Sequence, residues 1–249
     1  NFSLIGIEMI KIYGLGNALI DIEFSISEQD LTGVDIPKGG MKHISSKEKE
    51  FLLDKFQDYE ISRTAGGSIA NSLSAAALHG AKASFSGSVG KDKEGIEFLK
   101  SLKGLENFTK YSRKPTGVCI ILITPDGERT MASCLDANLD LTPECLVDNK
   151  LKQSNILIFD SFTIETNNGF NTVKKSVHIA NNNGVEIYFG IADKSLIELN
   201  LEKIAWLLSQ NINYVYGNEL EIKELAKFLP VKDLNILTTF GDKGASIGN

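Results

Sequence analysis

Residue types that often mark a particular function are scarce in this sequence of 249 residues. It contains three cysteines and three histidines, and no apolar run approaches the roughly 20 residues that cross a bilayer. No basic segment leads into an apolar core and a small-residue cleavage site, so the sequence gives no indication of secretion. Acidic residues (32) outnumber basic ones (26), giving a net charge of −6, which argues against nucleic acid or a membrane as a partner.

The few thiol and imidazole side chains are poorly spaced for a disulfide framework or a metal centre. The cysteines are Cys119, Cys134 and Cys145. Their number is odd and no pair has C-x-x-C spacing, a pattern typical of reduced thiols in the cytoplasm. The histidines are His43, His79 and His178. None has a second ligand at a recognised spacing, which argues against a structural metal site.

The order of the predicted elements indicates an α/β fold. From residue 156 onward, short apolar strands alternate with amphipathic helices. The predicted strands span 156–160, 185–191, 214–216 and 236–240, and the predicted helices span 171–181, 201–208 and 219–228. This alternation favours a mostly parallel sheet flanked by helices on both faces. Residues 18–45 and a hairpin around Asp126-Gly127 break the alternation and predict a small antiparallel layer.

Two glycine-rich segments fail as nucleotide-binding motifs. Gly14-x-Gly16 follows a predicted strand, but Leu19 occupies the third glycine position of a dinucleotide fingerprint and no helix begins there. Gly90-Lys91 resembles the end of a P-loop, but Asp92 replaces the required Ser or Thr. A dinucleotide-dependent oxidoreductase and a P-loop nucleotidase are therefore both disfavoured.

The pair Gly66-Gly67 precedes an alanine-rich helix predicted over 69–79, with Asn71 one turn inside it. Glycines at a helix N-terminus expose backbone N–H groups to a ligand, and the Asn71 amide offers both donors and an acceptor. Such a corner suits sugar hydroxyl groups. The alternative is that the glycines only permit a tight loop and that Asn71 is an ordinary polar helix residue.

Two carboxylates allow both a functional and a structural interpretation. Asp21 lies near the end of an early strand, where it either accepts hydrogen bonds from the hydroxyls of a pentose or is simply solvated. Asn218 and Glu221 have the spacing of a helix N-cap and its third position, which predicts a capping box. The alternative for Glu221 is that it holds a water molecule on Mg²⁺ beside a nucleotide phosphate.

Six segments, in the same order along the chain, resemble the ribokinase-like, or PfkB, family of carbohydrate and nucleoside kinases. They span residues 14–21, 66–81, 87–95, 126–131, 218–221 and 238–245. The first resembles the family's first strand with its sugar-binding aspartate, and the next two resemble its first signature. The last three resemble its lid hairpin, its Mg²⁺ and phosphate motif, and the strand that carries the nucleotide site.

The resemblance implies an ATP-dependent kinase that phosphorylates a primary hydroxyl of a sugar or nucleoside, with ATP and Mg²⁺ as cofactors. The implied substrate contacts are Asn17, Asp21, Gly66, Gly67, Asn71 and Arg129. The implied nucleotide contacts are Asn218, Glu221, Thr239 and Gly241, with Glu221 acting on the metal through water. The opening segment and the hairpin are most similar to the adenosine-kinase-like branch. Phe24 and Met41 either form an apolar wall against a purine or are ordinary packing residues of the lid.

The resemblance also predicts the organisation of the chain. Residues 10–249 form one kinase domain with a lid made from about 18–45 and 113–135, and a homodimer through this lid is compatible with the family. The family's Gly-Ala-Gly-Asp loop, which carries the catalytic base, is absent from the sequence. We therefore expect that the base lies beyond Asn249, that residues 1–8 precede the natural start, and that this chain alone is inactive. The alternative function is a non-catalytic ligand-binding protein of the same fold.

Overall fold

A computed structural model of the chain describes residues 9–248. The expectations about residues 1–8 and about the segment after Asn249 fall outside this range. The strands are β1 (Lys11–Leu15), β2 (Leu19–Ser25), β3 (Met41–His43), β4 (Glu60–Gly66), β5 (Lys82–Ser86), β6 (Ser88–Val89), β7 (Glu106–Asn107), β8 (Lys110–Tyr111), β9 (Gly117–Ile123), β10 (Arg129–Cys134), β11 (Ile156–Asp160), β12 (Glu186–Gly190), β13 (Tyr214–Asn218), β14 (Ile236–Thr239) and β15 (Ala245–Gly248). The helices are α1 (Glu28–Thr32), α2 (Ser46–Phe56), α3 (Ser68–Leu78), α4 (Lys93–Ser101), α5 (Asp148–Lys152), α6 (Ser161–Ile164), α7 (Asn167–Asn183), α8 (Ser195–Leu199), α9 (Leu201–Leu208) and α10 (Glu219–Phe228).

Eight strands form the large sheet, in the order β15-β14-β13-β12-β11-β1-β5-β7. Every neighbouring pair is parallel except β14 with β15. Successive residues of β1 belong to two separate cores, because side chains alternate between the faces of a strand. Tyr13 packs with the core that includes α7, whereas Ile12 packs with the core that includes α3. The predicted α/β class, with a mostly parallel sheet covered on both faces, is confirmed.

The large sheet has a topological switch point between β1 and β11. After β1 the chain continues to β5 and β7 on one side, and then crosses to β11, β12, β13 and β14 on the other. The loops after β1 and β11 therefore leave the sheet in opposite directions and open a crevice at the carboxyl ends of the strands. Open α/β sheets bind their ligands at this position.

A second sheet lies beside the first, in the order β3-β10-β9-β2-β4. The predicted hairpin of β9 and β10 is antiparallel, as is the pair β2 and β4, whereas β2 with β9 and β3 with β10 are parallel. Strand β4 belongs to this sheet although it falls outside the two ranges predicted for the lid. It was overlooked because Glu60–Gly66 is largely polar and lacks a clear alternation of apolar residues.

The helix boundaries follow local capping chemistry. Helix α2 begins at a capping box in which Ser45 and Glu48 exchange hydrogen bonds. Helix α3 is followed by Gly80, whose φ of 91° lies in the left-handed region that glycine tolerates best. The longest helix, α7, has 17 residues and ends at Gly184 with a φ of 69°. None of the helices in residues 9–248 combines the length and apolar character of a membrane span.

Asn138 joins the two chain segments that connect the sheets. Its side-chain oxygen accepts a hydrogen bond from the Ala18 N–H at 2.7 Å, and its amide nitrogen donates to the Ala18 carbonyl at 2.9 Å. Ala18 lies between β1 and β2, while Asn138 lies in a 3₁₀ turn that follows β10. The buried Asn138 amide therefore connects the segment that leaves the large sheet after β1 with the segment that leaves the second sheet after β10, as a neighbouring strand would.

We predict that Asn138→Ala lowers the free energy of unfolding by about 1–3 kcal/mol, because it leaves both buried backbone groups of Ala18 without partners. Denaturant titration measures the change. Asn171→Ala, at an exposed position of α7, is the matched control and should cost much less. Equal losses for the two variants would contradict the assigned role of Asn138.

Candidate functional site

A cavity of about 270 Å³ lies at the switch point, between the large sheet and the second sheet. The large-sheet side contributes Asn17 after β1, Gly67 and Ser68 at the start of α3, Asp160 at the end of β11 and Phe162 in α6. The second sheet covers this floor from the other side. The remaining lining residues are Leu19, Asp21, Met41, His43, Cys119, Ile121, Arg129, Met131, Ser133 and Leu135.

The pleat of the second sheet decides which of its residues line the cavity. Two rows of paired residues cross the sheet on the same face. One row is Asp21, Cys119, Ser133 and His43, and the other is Glu23, Ile121, Met131 and Met41. The alternate residues, such as Ile20, Ile22 and Ile120, are fully buried on the opposite face. The alternation of apolar and acidic residues in β2 therefore determines that Asp21 faces the cavity.

Asp21 is a half-buried carboxylate with unused hydrogen-bonding capacity. In residues 9–248 no hydrogen bond involves its side chain, although it lines the cavity. Burial raises its pKa to about 6, an effect partly opposed by the positive charge of Arg129. A desolvated acceptor without a hydrogen-bond partner among the described residues is well suited to ligand hydroxyl groups.

The glycine pair leaves room for this carboxylate. A Cβ atom on Gly66 would lie 2.3 Å from an Asp21 oxygen. Gly67 has a φ of 95°, and a Cβ there would lie 2.4 Å from the Asn17 carbonyl oxygen. Both positions therefore require glycine, one for close packing and the other also for its backbone conformation.

Asp160 is a cavity residue that the sequence analysis did not single out. Its Oδ2 accepts a hydrogen bond from the Ser68 hydroxyl, and its Oδ1 accepts from the Thr163 N–H at 3.0 Å and the Thr163 hydroxyl at 2.8 Å. Burial raises the pKa of this carboxyl. The sequence does contain a signal for Asp160, because this carboxylate ends an apolar strand directly before a helix. Ligands bind at the carboxyl edge of a parallel sheet, so a polar residue at that point is a candidate site residue.

The wall of the cavity is largely apolar. Met41, Ile121, Met131 and Phe162 contribute to it. Met41 therefore lies where the sequence analysis placed an apolar wall. Phe24 does not line the cavity, because it is fully buried against Phe56 on the other face of the second sheet.

Cys119 faces the cavity as a neutral group. Desolvation by burial raises the pKa of its thiol to about 12, and the neighbouring Asp21 carboxylate adds to this effect. The side chain is therefore a small apolar contact at neutral pH and not a nucleophile.

The predicted substrate contacts are brought together in part. Asn17, Asp21, Gly67 and Arg129 line the cavity, and Gly66 packs against Asp21. Asn17 donates from its amide nitrogen to the Phe162 carbonyl at 3.2 Å, and its side-chain oxygen accepts no hydrogen bond from residues 9–248. Arg129 donates to Glu23 at 3.0 Å.

Asn71 lies apart from the residues that line the cavity. It is exposed on α3, and its backbone N–H donates to the Gly67 carbonyl at 3.0 Å in the first turn of the helix. Its contact with a substrate stays a prediction.

The predicted nucleotide contacts lie further along the same carboxyl edge. Asn218 ends β13 and pairs with Thr239 at the end of β14, and Gly241 follows with a φ of 61°. Asn218 and Glu221 form the predicted capping box: Glu221 accepts from the Asn218 backbone at 2.8 Å, and Asn218 accepts from the Glu221 backbone at 2.9 Å. Asn218 and Glu221 line a shallow depression of about 200 Å³, which Asp193 and Lys194 also border.

Glu221 retains features that suit a hydrated cation. Burial raises the pKa of its carboxyl. Each of its oxygens accepts one hydrogen bond from Asn218, so lone pairs remain for water. Within residues 9–248 no cluster of three or more His, Cys, Asp or Glu side chains is arranged to hold a metal ion directly.

Comparison with known proteins connects this geometry to a family. Residues 44–239 match the pfkB family of carbohydrate kinases, a range that includes the glycine pair, the hairpin and the Asn218–Glu221 box. Adenosine kinase 2 of Arabidopsis thaliana is 29% identical over 131 residues, which make up 50% of this chain and 37% of that protein. The matched region therefore spans well under half of this relative.

Solved structures share the fold over nearly the whole chain. A probable sugar kinase from Rhizobium etli CFN 42 superimposes with a TM-score of 0.87 at 24% identity, covering 96% of this chain and 76% of the other. Adenosine kinase from Sinorhizobium meliloti has a TM-score of 0.86 at 23% identity, with the same two coverages. At these identities the superpositions establish the fold, and the family match extends over more than three quarters of the sequence. The chain belongs to the pfkB family of carbohydrate kinases.

Proposed function

We propose that the chain is the substrate-binding part of an ATP-dependent kinase that phosphorylates the primary hydroxyl of a ribonucleoside, with adenosine as the favoured substrate. The observation that carries the proposal is the two-sided cavity at the switch point. Its floor presents polar groups around Asn17 and Gly67, and its covering sheet presents the Asp21 carboxylate together with an apolar wall. A nucleoside matches both surfaces, because its ribose carries hydroxyl groups and its base has a large apolar face.

Asp21 of the covering sheet and the glycine pair of the floor bind and orient the ribose in this proposal. The Asp21 carboxylate accepts hydrogen bonds from two neighbouring hydroxyls, and charge-assisted bonds of this kind are among the stronger ones in proteins. The backbone next to Gly67 approaches the sugar closely, since neither Gly66 nor Gly67 has a side chain in the way. Fixing the ring in one orientation directs its primary hydroxyl towards the nucleotide end of the crevice. Such orientation of a reacting group is a large source of rate acceleration.

The second sheet acts as the lid in this proposal and excludes water from the cavity. Met41, Ile121 and Met131 then contact the base. A free ribose leaves this wall without a partner, so the proposal favours nucleosides over sugars. The three free cysteines in the described residues are buried, which fits the cytoplasmic location that we also propose.

The nucleotide and its metal are assigned to the edge formed by Asn218, Glu221, Thr239 and Gly241. Mg²⁺ commonly keeps several waters and uses one or two carboxylates, so a water-mediated contact with Glu221 suits the donors present. When bound, ATP with Mg²⁺ supplies the phosphoryl group and neutralises developing charge. The residues of this edge would hold the phosphates of the nucleotide.

We further propose that the 249-residue chain binds nucleoside without turning it over. The sequence has no Gly-Ala-Gly-Asp loop, the segment that carries the base and the anion-binding N–H groups in the family it belongs to. The cavity carboxylates in the described residues are Asp21, which is assigned to the ribose hydroxyls, and Asp160, which is already engaged by Ser68 and Thr163.

The first prediction of this proposal concerns ligand choice. Calorimetric titration should detect adenosine binding to the 249-residue chain and much weaker binding of ribose, because only adenosine covers the apolar wall. Binding of ribose as tight as that of adenosine would contradict the assignment to a nucleoside.

Asp21→Asn should weaken adenosine binding by roughly 10- to 150-fold for each charge-assisted hydrogen bond lost. In the unmodified chain, adenosine affinity should fall as the pH drops below about 6, where the Asp21 carboxyl becomes protonated. Asp54→Asn, at an exposed position of α2, is the matched control and should leave the affinity unchanged. An unchanged affinity in Asp21→Asn would return this residue to the solvated interpretation.

The same variant should stabilise the fold at neutral pH. The pKa of Asp21 is raised by folding, so the folded chain binds more protons between pH 4 and 6 and stability falls as the pH rises through that window. Asp21→Asn removes this cost, and its free energy of unfolding should exceed that of the unmodified chain by up to about 3 kcal/mol at pH 8 and by little at pH 4. Denaturant titrations at both pH values measure the difference, and a variant less stable at pH 8 would refute it.

A coupled assay of ATP consumption should detect no turnover of adenosine by the 249-residue chain, since removal of a base and an anion hole costs several orders of magnitude. Adenosine should still bind in the parallel titration. Measurable phosphorylation would show that these residues contain the base. Extending the coding sequence and finding no Gly-x-Gly-Asp loop would favour the non-catalytic binding protein instead.

A further inference from the structure

One ion pair connects the two sheets at the cavity. His43 is the last residue of β3, at the edge of the second sheet, and its Nε2 lies 2.7 Å from Glu165 Oε1. Glu165 follows α6, on the large-sheet side. His43 lines the cavity from the second sheet, and Phe162, in the helix that Glu165 follows, lines it from the large-sheet side. The ion pair between His43 and Glu165 therefore joins the two sides of the cavity.

The surroundings of the imidazole favour its protonated form. Its second nitrogen, Nδ1, lies 3.3 Å from the Ser133 carbonyl oxygen, which can only accept a hydrogen bond. A neutral imidazole donates from one nitrogen only, so one of the two oxygens then faces a lone pair. An imidazolium donates to both oxygens.

The carboxylate depends on this imidazolium. The side chain of Glu165 is 12% exposed, and its Oε2 is buried with no hydrogen-bond partner in the described residues. Loss of the proton from His43 leaves a desolvated negative charge facing a neutral ring. Separation of the two sheets then becomes more favourable, because it returns the carboxylate to water.

The other charged groups near His43 and Glu165 have hydrogen-bond partners of their own. From α9, the Lys203 ammonium group donates to the backbone carbonyls of Ile164 at 2.8 Å and Glu165 at 2.6 Å, and not to the Glu165 carboxylate. From β11, Asp160 is occupied by Ser68 and Thr163. On β3 itself, the Lys42 ammonium group pairs with Asp35 at 2.8 Å.

We propose that His43 and Glu165 form a proton-dependent latch that holds the second sheet closed over the nucleoside cavity. The role in ligand retention depends on the proposed function, whereas the latch itself is a property of the chain without ligand. Both are positioning residues, because they act by keeping the covering sheet in place.

The sign of the pH dependence follows from the pairing. The hydrogen bond with Glu165 raises the pKa of His43 above its ordinary value. The latch is therefore complete below about pH 6.5, the ordinary imidazole value, and is lost as the pH rises through the raised value. Since Asp21 requires a pH above about 6 to be ionised, retention of a nucleoside should pass through a maximum between the two titrations.

The test begins without ligand. NMR titration of the 249-residue chain should show His43 titrating above the ordinary imidazole value of about 6.5, and Glu165→Gln should lower the His43 midpoint. Hydrogen exchange, corrected for the intrinsic rate, should show that the segment 41–45 loses protection between pH 6 and 8.5. In Glu165→Gln and in His43→Gln, the protection of the segment 41–45 should be low throughout this pH range and should not vary with pH.

Matched controls are Glu106→Gln, which removes the surface pair with Lys150, and His178→Gln on α7. Both should keep the pH dependence of the segment 41–45. An unchanged His43 midpoint in Glu165→Gln, or protection that is independent of pH in the unmodified chain, would overturn the latch.

A second measurement addresses the ligand. Stopped-flow release of a fluorescent adenosine analogue at pH 6.5 should be about 10-fold faster from Glu165→Gln than from the unmodified chain, the effect of one charge-assisted hydrogen bond. Equal release rates would refute the role in retention. If no nucleoside binds at any pH, the proposed function fails, while the histidine titration and the exchange data still decide whether the latch exists.

Discussion

Parallel pairing of β1 with β11, from Ile12 opposite Ile156 to Gly14 opposite Ile158, is the constraint on which the site depends. These two strands are far apart in the sequence, and the chain leaves them in opposite directions. Their carboxyl ends place Asn17 and Asp160 on the floor of one crevice. Because the strands are buried on both faces, this edge cannot shift without disrupting both apolar cores.

Buried polar contacts then attach the other parts of the site to that edge. Asp160 binds the Ser68 hydroxyl, which fixes the start of α3 and with it the glycine pair. Asn138 binds both backbone groups of Ala18 and so fixes the segment that leads into β2. Asn138 takes the place of a missing neighbouring strand, because it satisfies two backbone groups where the chain passes between two sheets.

Two carboxylates, one in the cavity and one beside it, are incompletely solvated or incompletely hydrogen-bonded. Among residues 9–248, Asp21 is desolvated without a hydrogen-bond partner, and Glu165 has one buried oxygen without a hydrogen-bond partner. The raised pKa of Asp21 means that its ionised form costs stability when no ligand is bound. Such groups concentrate at functional sites, because a ligand or a moving element can supply the missing contact.

The fold class followed from the sequence because its physical cause is local: apolar strands that alternate with amphipathic helices leave few solutions other than a covered parallel sheet. The capping box of Asn218 and Glu221 was equally accessible, since both partners lie within one turn. Strand β4 was not, because its polar residues acquire strand structure only by pairing with β2. The choice between a purine wall and lid packing for Phe24 stayed open for a similar reason, since the face that a strand buries depends on what packs against it.

The sequence by itself determined the chemistry of individual positions: an acidic residue in an apolar strand at Asp21, two glycines before a helix, and the order of motifs along the chain. The tertiary structure alone decided which distant residues meet. Asp160 reaches the cavity through the pairing of β11, and His43 meets Glu165 across 122 positions of sequence because two separate sheets close over one crevice. Local patterns encode secondary structure, whereas a contact between sheets depends on the packing of every element between them.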